Sequence, residues 1–247
     1  MRGGRRSASD RIIVYNAPLK SLGRRFFLLM GGAASRFGFH YEGRSVTRKV
    51  KPDVAVRISE EIDKAMTLSG RGLHDAAWEI LKRAEAVAQN AQLVSAHLLW
   101  GLAAEADARD DAEHAVKYIT QALKLDPAAP PFINSHNIIR DRVISTFHAM
   151  DVTDVALRPF FEMIAALGAI DAAVLIKLSR HVAEADGNHQ AALGLAQDAV
   201  QREPQNADAL RHLASLLAGA GRHQEARARR SEGDALAVTF SCPAATA

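Results

Sequence analysis

The side chains best able to do chemistry in this chain are ten histidines, one cysteine and a small group of aspartates. The histidines are spread along the sequence, and none forms the HExxH arrangement of a zinc protease. Cys242 has no second cysteine with which to build a disulfide or a cysteine zinc site. The GxSxG, phosphate-loop and GxGxxG motifs are absent. We therefore expect a protein that is not an enzyme and that holds no cofactor and no metal.

The aspartates Asp107, Asp110 and Asp111 form a small acidic cluster in and beside one predicted helix turn. Acidic residues at such a point favour the positive end of the following helix. The cluster is therefore more typical of a helix cap than of a metal site.

Charge is distributed unevenly along the chain. Residues 1–51 hold nine Arg and three Lys against Asp10 and Glu42, a net charge of +10, whereas the remaining residues carry −7. We expect residues 1–51 to be a basic arm, disordered or a targeting segment, that precedes an acidic body. Such an arm contacts an anionic membrane surface, nucleic acid or an acidic protein face, or it serves only as a solubilising tail.

Part of the arm is similar to a twin-arginine export signal. Arg24 and Arg25 precede Phe26, Phe27, Leu28 and Leu29, and the apolar run continues only to Ala34. No small-x-small cleavage site follows the run. We expect a cytoplasmic protein, with export or membrane association through this segment as the alternative.

The composition favours helices. The chain has 247 residues, 48% of them hydrophobic and 6% aromatic, with Ala and Leu abundant. No stretch approaches the roughly 18 consecutive apolar residues that a membrane-spanning helix needs.

A repeated spacing organises the acidic body. Four segments share a turn residue followed by two small residues at intervals of five and seven, and two of them end in proline five residues later. The four sets are Gly72, Ala77, Ala84; Asp110, Ala115, Ala122, Pro127; Gly187, Ala192, Ala199, Pro204; and Gly221, Ala226, Gly233. A turn residue that tolerates a left-handed conformation can join two helices. Two small residues seven positions apart let the second helix approach its neighbours closely, and the proline then ends that helix.

This pattern resembles the tetratricopeptide repeat, a helix–turn–helix unit of 34 residues, over about residues 55–127 and 172–236. The resemblance implies an all-α fold: a right-handed α-solenoid of about ten helices over residues 52–236, followed by a C-terminal tail at 237–247. Ser179 and Arg180 stand where the family has a leucine and a small residue, and Lys64 stands at another such leucine position. These departures indicate first helices that are shifted in register or that cap the array.

An irregular repeat is expected at about residues 130–170. Pro130 and Pro131 interrupt the chain, and the apolar residues that follow mark an amphipathic helix. Asp151 or Thr153 is expected to cap the next helix, and Pro159 to kink it or delay its start. Asp171 is expected to cap the helix after that.

The resemblance also implies a binding surface. In the family, residues of the first helices that lie about ten and six positions before the turn residue line a concave groove. Carried over to this sequence, the partner-binding residues are Ile62, Met66, Trp100, Lys177, His181, Arg211, His212 and Ser215. The N-terminal half of such a groove is apolar and the C-terminal half is basic.

Three functions fit this sequence. The first is a non-enzymatic scaffold or adaptor that binds a peptide or a partner subunit in the groove, with an acidic stretch or free carboxylate on the partner. The second is the repeat region or relic of a glycosyl- or sulfotransferase-type enzyme. The third is a tether in which the basic arm contacts a membrane surface or nucleic acid while the repeats recruit a partner.

Overall fold

The structure, a computed structural model, describes residues 52–241, and the side chains of residues 53–237. Ten helices follow one another along this part of the chain, as the sequence predicts. They are α1 (Pro52–Ser69), α2 (His74–Asn90), α3 (Ala96–Ala108), α4 (Ala112–Leu125), α5 (Pro130–Ala149), α6 (Leu157–Ala166), α7 (Ala172–Glu184), α8 (His189–Arg202), α9 (Ala207–Gly219) and α10 (His223–Ser241). The basic arm and the twin-arginine segment lie outside the described residues, as does Cys242.

The chain divides into two compact units between Ile139 and Arg140, inside α5. Unit 1 holds α1 to α4 and the first half of α5, and unit 2 holds the second half of α5 and α6 to α10. That residues 52–236 form a single repeat domain stays a prediction. The last helix, α10, continues to Ser241.

Side-chain caps set the start of five helices. In each, an Asp, Asn or Ser oxygen accepts a hydrogen bond from the backbone N–H three residues on, which satisfies one of the free donors of the first turn. These caps are Ser95, Asp111, Asp171, Asn188 and Asn206, with donor–acceptor distances of 2.8 to 3.3 Å. The predicted cap at Asp171 is confirmed.

All four predicted turn residues adopt the left-handed conformation, with φ of 77° at Gly72, 58° at Asp110, 65° at Gly187 and 76° at Gly221. Glycine enters this region without steric cost, and aspartate does so more readily than most residues. The turn residue therefore ends the first helix of each hairpin, as its place in the repeat predicts.

The small residues of the repeat lie where helices meet. Ala77, Ala84, Ala115, Ala122, Ala192 and Ala199 are at most 2% exposed, and Ala226 is 7% exposed. At Gly233, a Cβ atom would lie 3.1 Å from the carbonyl oxygen of Ala207 and 3.3 Å from Leu210 Cβ. The second helix of each hairpin thus packs closely on its neighbours at the seven-residue intervals.

The helices α5 and α6 form the irregular part. Pro130 and Pro131 begin α5, where a missing N–H costs nothing, and Pro159 lies in the first turn of α6 rather than in its interior. The predicted cap at Asp151 or Thr153 is wrong. Asp151 instead accepts from the N–H and hydroxyl of Thr153 in the loop, and Ala156 precedes α6 without a side-chain cap.

One extra residue distinguishes the hairpin α7–α8 from its neighbours. The cap and turn residues of α3 and α9, Ser95 with Asp110 and Asn206 with Gly221, are fifteen positions apart, whereas Asp171 and Gly187 are sixteen apart. The extra residue lies in the loop after α7. The N–H of Asn188 reaches back six residues to the carbonyl of Val182, whereas the equivalent bond after α9, from Arg222 to Leu217, spans five.

This insertion explains the departures at Ser179 and Arg180. Counted from the caps, the buried residues of α7 (Leu175, Leu178, Ser179 and Val182) match those of α3 (Leu99, Leu102, Ala103 and Ala106). Ser179 therefore occupies the small-residue position and is fully buried. The predicted register shift of this helix is one residue, and it moves Arg180 to the exposed side.

Candidate functional site

The candidate binding surface is the exposed side of the first helices of unit 2, which we call the first-helix face. Exposed residues recur there at helical spacing on α7 and on α9, so each set forms one stripe. The face consists of Ala173, Arg180 and Glu184 on α7, and Asp208, Arg211 and Ser215 on α9. Arg211 and Ser215, which were predicted to line a groove, thus lie on an exposed surface.

Two arginines of this face differ in how they are held. Arg211 donates through Nε to Asp234 of α10 at 2.9 Å, and its Nη1 lies 3.7 Å from Asp208. Among the described residues no carboxylate pairs with Arg180. The Arg180 guanidinium is therefore a solvent-facing cation with all its donors available to a ligand.

The two predicted groove residues of α7, Lys177 and His181, both make contacts within unit 2. The Lys177 ammonium donates to the carbonyl oxygen of His148 at 2.8 Å and also to that of Met150, at the end of α5. Its Nζ also lies 5.6 Å from the Phe147 ring centroid. His181 is buried, and its Nδ1 lies 2.6 Å from the carbonyl oxygen of Val152, to which it donates. Both side chains hold the loop after α5.

His212 and Ser179 are the one Ser–His pair among the described residues within hydrogen-bond distance, but their arrangement is structural. The Ser179 hydroxyl donates to the carbonyl of Ala192 at 2.7 Å, so His212 Nε2, 2.8 Å from Ser179 Oγ, is the donor to it. Burial, with a smaller effect from Arg180, lowers the pKa of His212 to about 4. A nucleophile needs a histidine that accepts its proton and a substrate that can reach it, and fully buried Ser179 has neither.

The residues predicted to line the apolar half of the groove belong to the interior of unit 1. Ile62, Met66 and Trp100 are all less than 10% exposed. The Trp100 indole N–H donates to the hydroxyl of Ser135 at 2.9 Å, and its ring lies 5.9 Å from that of Phe132, so the start of α5 covers it. These three side chains therefore offer no open apolar surface for a partner.

A cluster of aromatic and cationic side chains on α2, on α4 and in the turn between α3 and α4 is a feature that the sequence analysis missed. The Trp78 ring lies 5.1 Å from Arg109 and 5.6 Å from Lys82, and His114 meets its edge at 6.0 Å. Tyr118 completes the cluster and accepts a hydrogen bond from Lys82 at 3.0 Å. The spacing of Trp78 and Lys82 places them one turn apart, but only the packing of α2 on α4 shows that the cluster forms.

Unit 1 also buries a carboxylate. Glu105 of α3 is 1% exposed, and its Oε2 lies 3.0 Å from Nδ1 of His74 at the start of α2. Such a contact satisfies a buried acid whose desolvation would otherwise be costly. It joins the first hairpin to the second.

The remaining candidates for chemistry stay unsupported within residues 52–241. No group of three or more His, Cys, Asp or Glu side chains in this range is placed to hold a metal ion. Of the acidic cluster, Asp111 caps α4 and Asp110 forms the preceding turn. None of the described helices combines the length and apolar character needed to cross a bilayer.

Comparison with known proteins adds a family match. Residues 183–235 match the tetratricopeptide repeat family, and they span the end of α7 through most of α10. No curated protein sequence matches the chain.

Among solved structures, those similar to this chain include several of MamA. The MamA RS-1 ArsTM double mutant shares 17% identity with a TM-score of 0.35, over 75% of this chain and 97% of its own. MamA 41-end from Desulfovibrio magneticus RS-1 gives 17% identity, a TM-score of 0.34, and coverage of 75% and 97%. MamA AMB-1 shares 15% identity with a TM-score of 0.36, over 77% of this chain and 96% of its own. The fold assignment rests on the hairpins and the family match rather than on scores this low. Residues 183–235 carry the sequence pattern of the tetratricopeptide repeat, and the described residues form helical hairpins with the turn and small-residue spacing of that repeat.

Proposed function

We propose that this chain is a non-enzymatic protein-interaction scaffold that binds an acidic group of a partner on the first-helix face of unit 2. The observation that carries the proposal is the Arg180 guanidinium, exposed and without a carboxylate partner among residues 52–241, on the same face as Arg211. A planar guanidinium with five donors suits a carboxylate, which it can bind through two parallel hydrogen bonds.

The backbone beneath the two arginines favours such a role. Arg180 follows fully buried Ser179 on α7, and Arg211 precedes His212 on α9. Because Ser179 and His212 are hydrogen-bonded to each other at 2.8 Å, the two helices are joined directly below the face. Binding groups on a rigid support lose less conformational entropy when a ligand arrives.

The state of Arg211 sets the kind of partner. Its guanidinium is already neutralised in part by Asp234 and Asp208, so an incoming carboxylate must share or displace these contacts. Arg180 has no carboxylate partner among the described residues, and it therefore supplies most of the attraction for the partner's carboxylate. A partner with a single acidic side chain or a terminal carboxylate near Arg180 fits the face better than a long acidic tract would.

The proposal is tested with a charge-reversed full-length chain carrying Arg180→Glu and Arg211→Glu. The matched control carries Arg227→Glu and Arg230→Glu, which reverses the same amount of charge at exposed positions of α10. Proteins captured by the wild type are identified by mass spectrometry, and their affinities are measured for all three chains.

Exposed ion pairs are weak one by one, but reversal replaces attraction by repulsion, so we expect the first variant to bind about tenfold or more weaker. The control should bind like the wild type. Equal affinity of all three chains, or an equal loss of affinity in both variants, would show that the partner does not bind on the first-helix face.

A second function is favoured by the charge of residues 1–51. Their net charge of +10 beside a body of −7 suits a tether to an anionic surface, with the repeats recruiting the partner. Binding that falls steeply with salt and disappears without residues 1–51 supports the tether. Salt-tolerant capture that survives their removal supports the scaffold.

A further inference from the structure

The contact between α7 and α9 contains a relay of hydrogen bonds that reaches three helices. His212 of α9 donates to Ser179 of α7 at 2.8 Å, and Ser179 donates to the Ala192 carbonyl of α8 at 2.7 Å. Ser179 is completely buried, so no water can replace either bond while the helices stay packed. One titratable ring therefore links the second-to-last hairpin to the last.

The charges around this ring are unfavourable to a further positive charge. The positive charge of Arg180 on α7 acts on the ring, and Arg211 is the neighbour of His212 on α9. The carboxylates of Asp208 on α9 and Asp234 on α10 are both engaged by Arg211. On α8, the group that is hydrogen-bonded to Ser179 is the uncharged backbone carbonyl of Ala192.

We propose that the α7–α9 contact is an acid-sensitive joint, in which protonation of His212 loosens the packing of α9 and α10 on α7. His212 is only partly buried, but a charged imidazole at this contact gains solvation and moves away from the charge of Arg180 when α9 moves off α7. This inference concerns the packing beneath the first-helix face and holds whether or not a partner binds there.

The direction of the effect follows from the two protonation states. The pKa of His212 is lowered from 6.5 to about 4, first by burial and then by Arg180, so the folded joint prefers the neutral ring. The stabilisation is fully present above pH 6.5, decreases as the pH falls from 6.5 to about 4, and changes no further below that. At pH 5 the opening equilibrium should be about 20-fold more favourable than at pH 7.

The first experiment compares the wild-type chain with His212→Gln and with His189→Gln. Glutamine keeps an N–H donor for Ser179 but does not titrate, and His189 is an exposed histidine at the start of α8. Backbone hydrogen exchange is measured for the three chains at pH 7 and at pH 5. The exchange rate of wild type relative to His212→Gln should rise about 20-fold between these pH values in α9 and α10, and not in α3 and α4. His189→Gln should follow the wild type.

An unchanged ratio of exchange rates in α9 and α10, or an equal rise of this ratio in all helices, would contradict the proposed joint. If His212→Gln fails to fold, the imidazole of His212 is titrated by NMR in the wild-type chain. A pKa near 4 supports the proposal, and a pKa of about 6.5 refutes it.

Discussion

Replacement of Gly233 by alanine tests the closeness of the last two helices. In an open helix, Gly→Ala stabilises by about 1 kcal/mol because alanine loses less backbone freedom on folding. At Gly233 of α10 the new Cβ would meet the backbone oxygen of Ala207 at 3.1 Å and Leu210 Cβ at 3.3 Å. Neither atom is the end of a flexible side chain, so α10 must shift away from α9. Such overpacking costs about 1–3 kcal/mol, which cancels or exceeds the gain.

Gly194 is the matched control, because it lies within α8 and its Cβ would meet nothing within 4 Å. Gly194→Ala should therefore stabilise the chain by about 1 kcal/mol, while Gly233→Ala should leave it unchanged or weaken it. The two variants should differ by about 2 kcal/mol, or about 6 °C in melting temperature for a chain of this size. Thermal unfolding followed by circular dichroism measures the difference. Equal stabilisation by both substitutions would show that α10 does not approach α9 as closely as the structure has it.

Two further predictions concern a turn and a lysine. The variant Asp110→Gly should be more stable than Asp110→Ala by about 1 kcal/mol, because both remove the side chain but only glycine enters the left-handed conformation freely. Urea unfolding of the two variants measures the difference, and equal unfolding midpoints would contradict the prediction. Lys177→Met should destabilise the chain by about 1 kcal/mol, because two carbonyls at the end of α5 lose a charged donor in a half-exposed position. Arg180→Met should change stability by less than about 0.5 kcal/mol. Melting temperatures compare these two variants, and an equal effect of both would remove the anchoring role of Lys177.

Much of the fold could be predicted from local sequence signals. A residue that tolerates the left-handed conformation, followed by small residues at five and seven positions, acts through sterics within one hairpin. For this reason Gly72 and Asp110 mark turns and Ala77 and Ala115 mark close helix contacts in the structure, as predicted.

The site was harder to predict because a groove position depends on register. Counting back from Gly187 gave Lys177 and His181, but the loop after α7 holds one residue more than the family spacing allows. Counting forward from the cap Asp171, which was recognised in the sequence, places Arg180 on the exposed side instead. Distance from cap to turn is the sequence signal that would have found it.

Two other features depend on tertiary packing that no local spacing reveals. Trp100 occupies a groove position of the repeat, yet the Ser135 hydroxyl and Phe132 of α5 cover it. The boundary between the two units falls within the continuous helix α5, where neither glycine nor proline marks it. The burial of Trp100 depends on which helix lies against which, because Phe132 and Ser135 are more than 30 positions away from it in the sequence.

The central claim, that a partner lies on the first-helix face of unit 2, is tested most directly by site-specific photocrosslinking. A photoreactive phenylalanine replaces Ser215 on that face in one chain and Ser231, an exposed residue of α10, in another. The captured partner should crosslink from position 215 and not from position 231, and Arg180→Glu should weaken the crosslink from position 215. Crosslinking from position 231 alone, or equally from both positions, would contradict it.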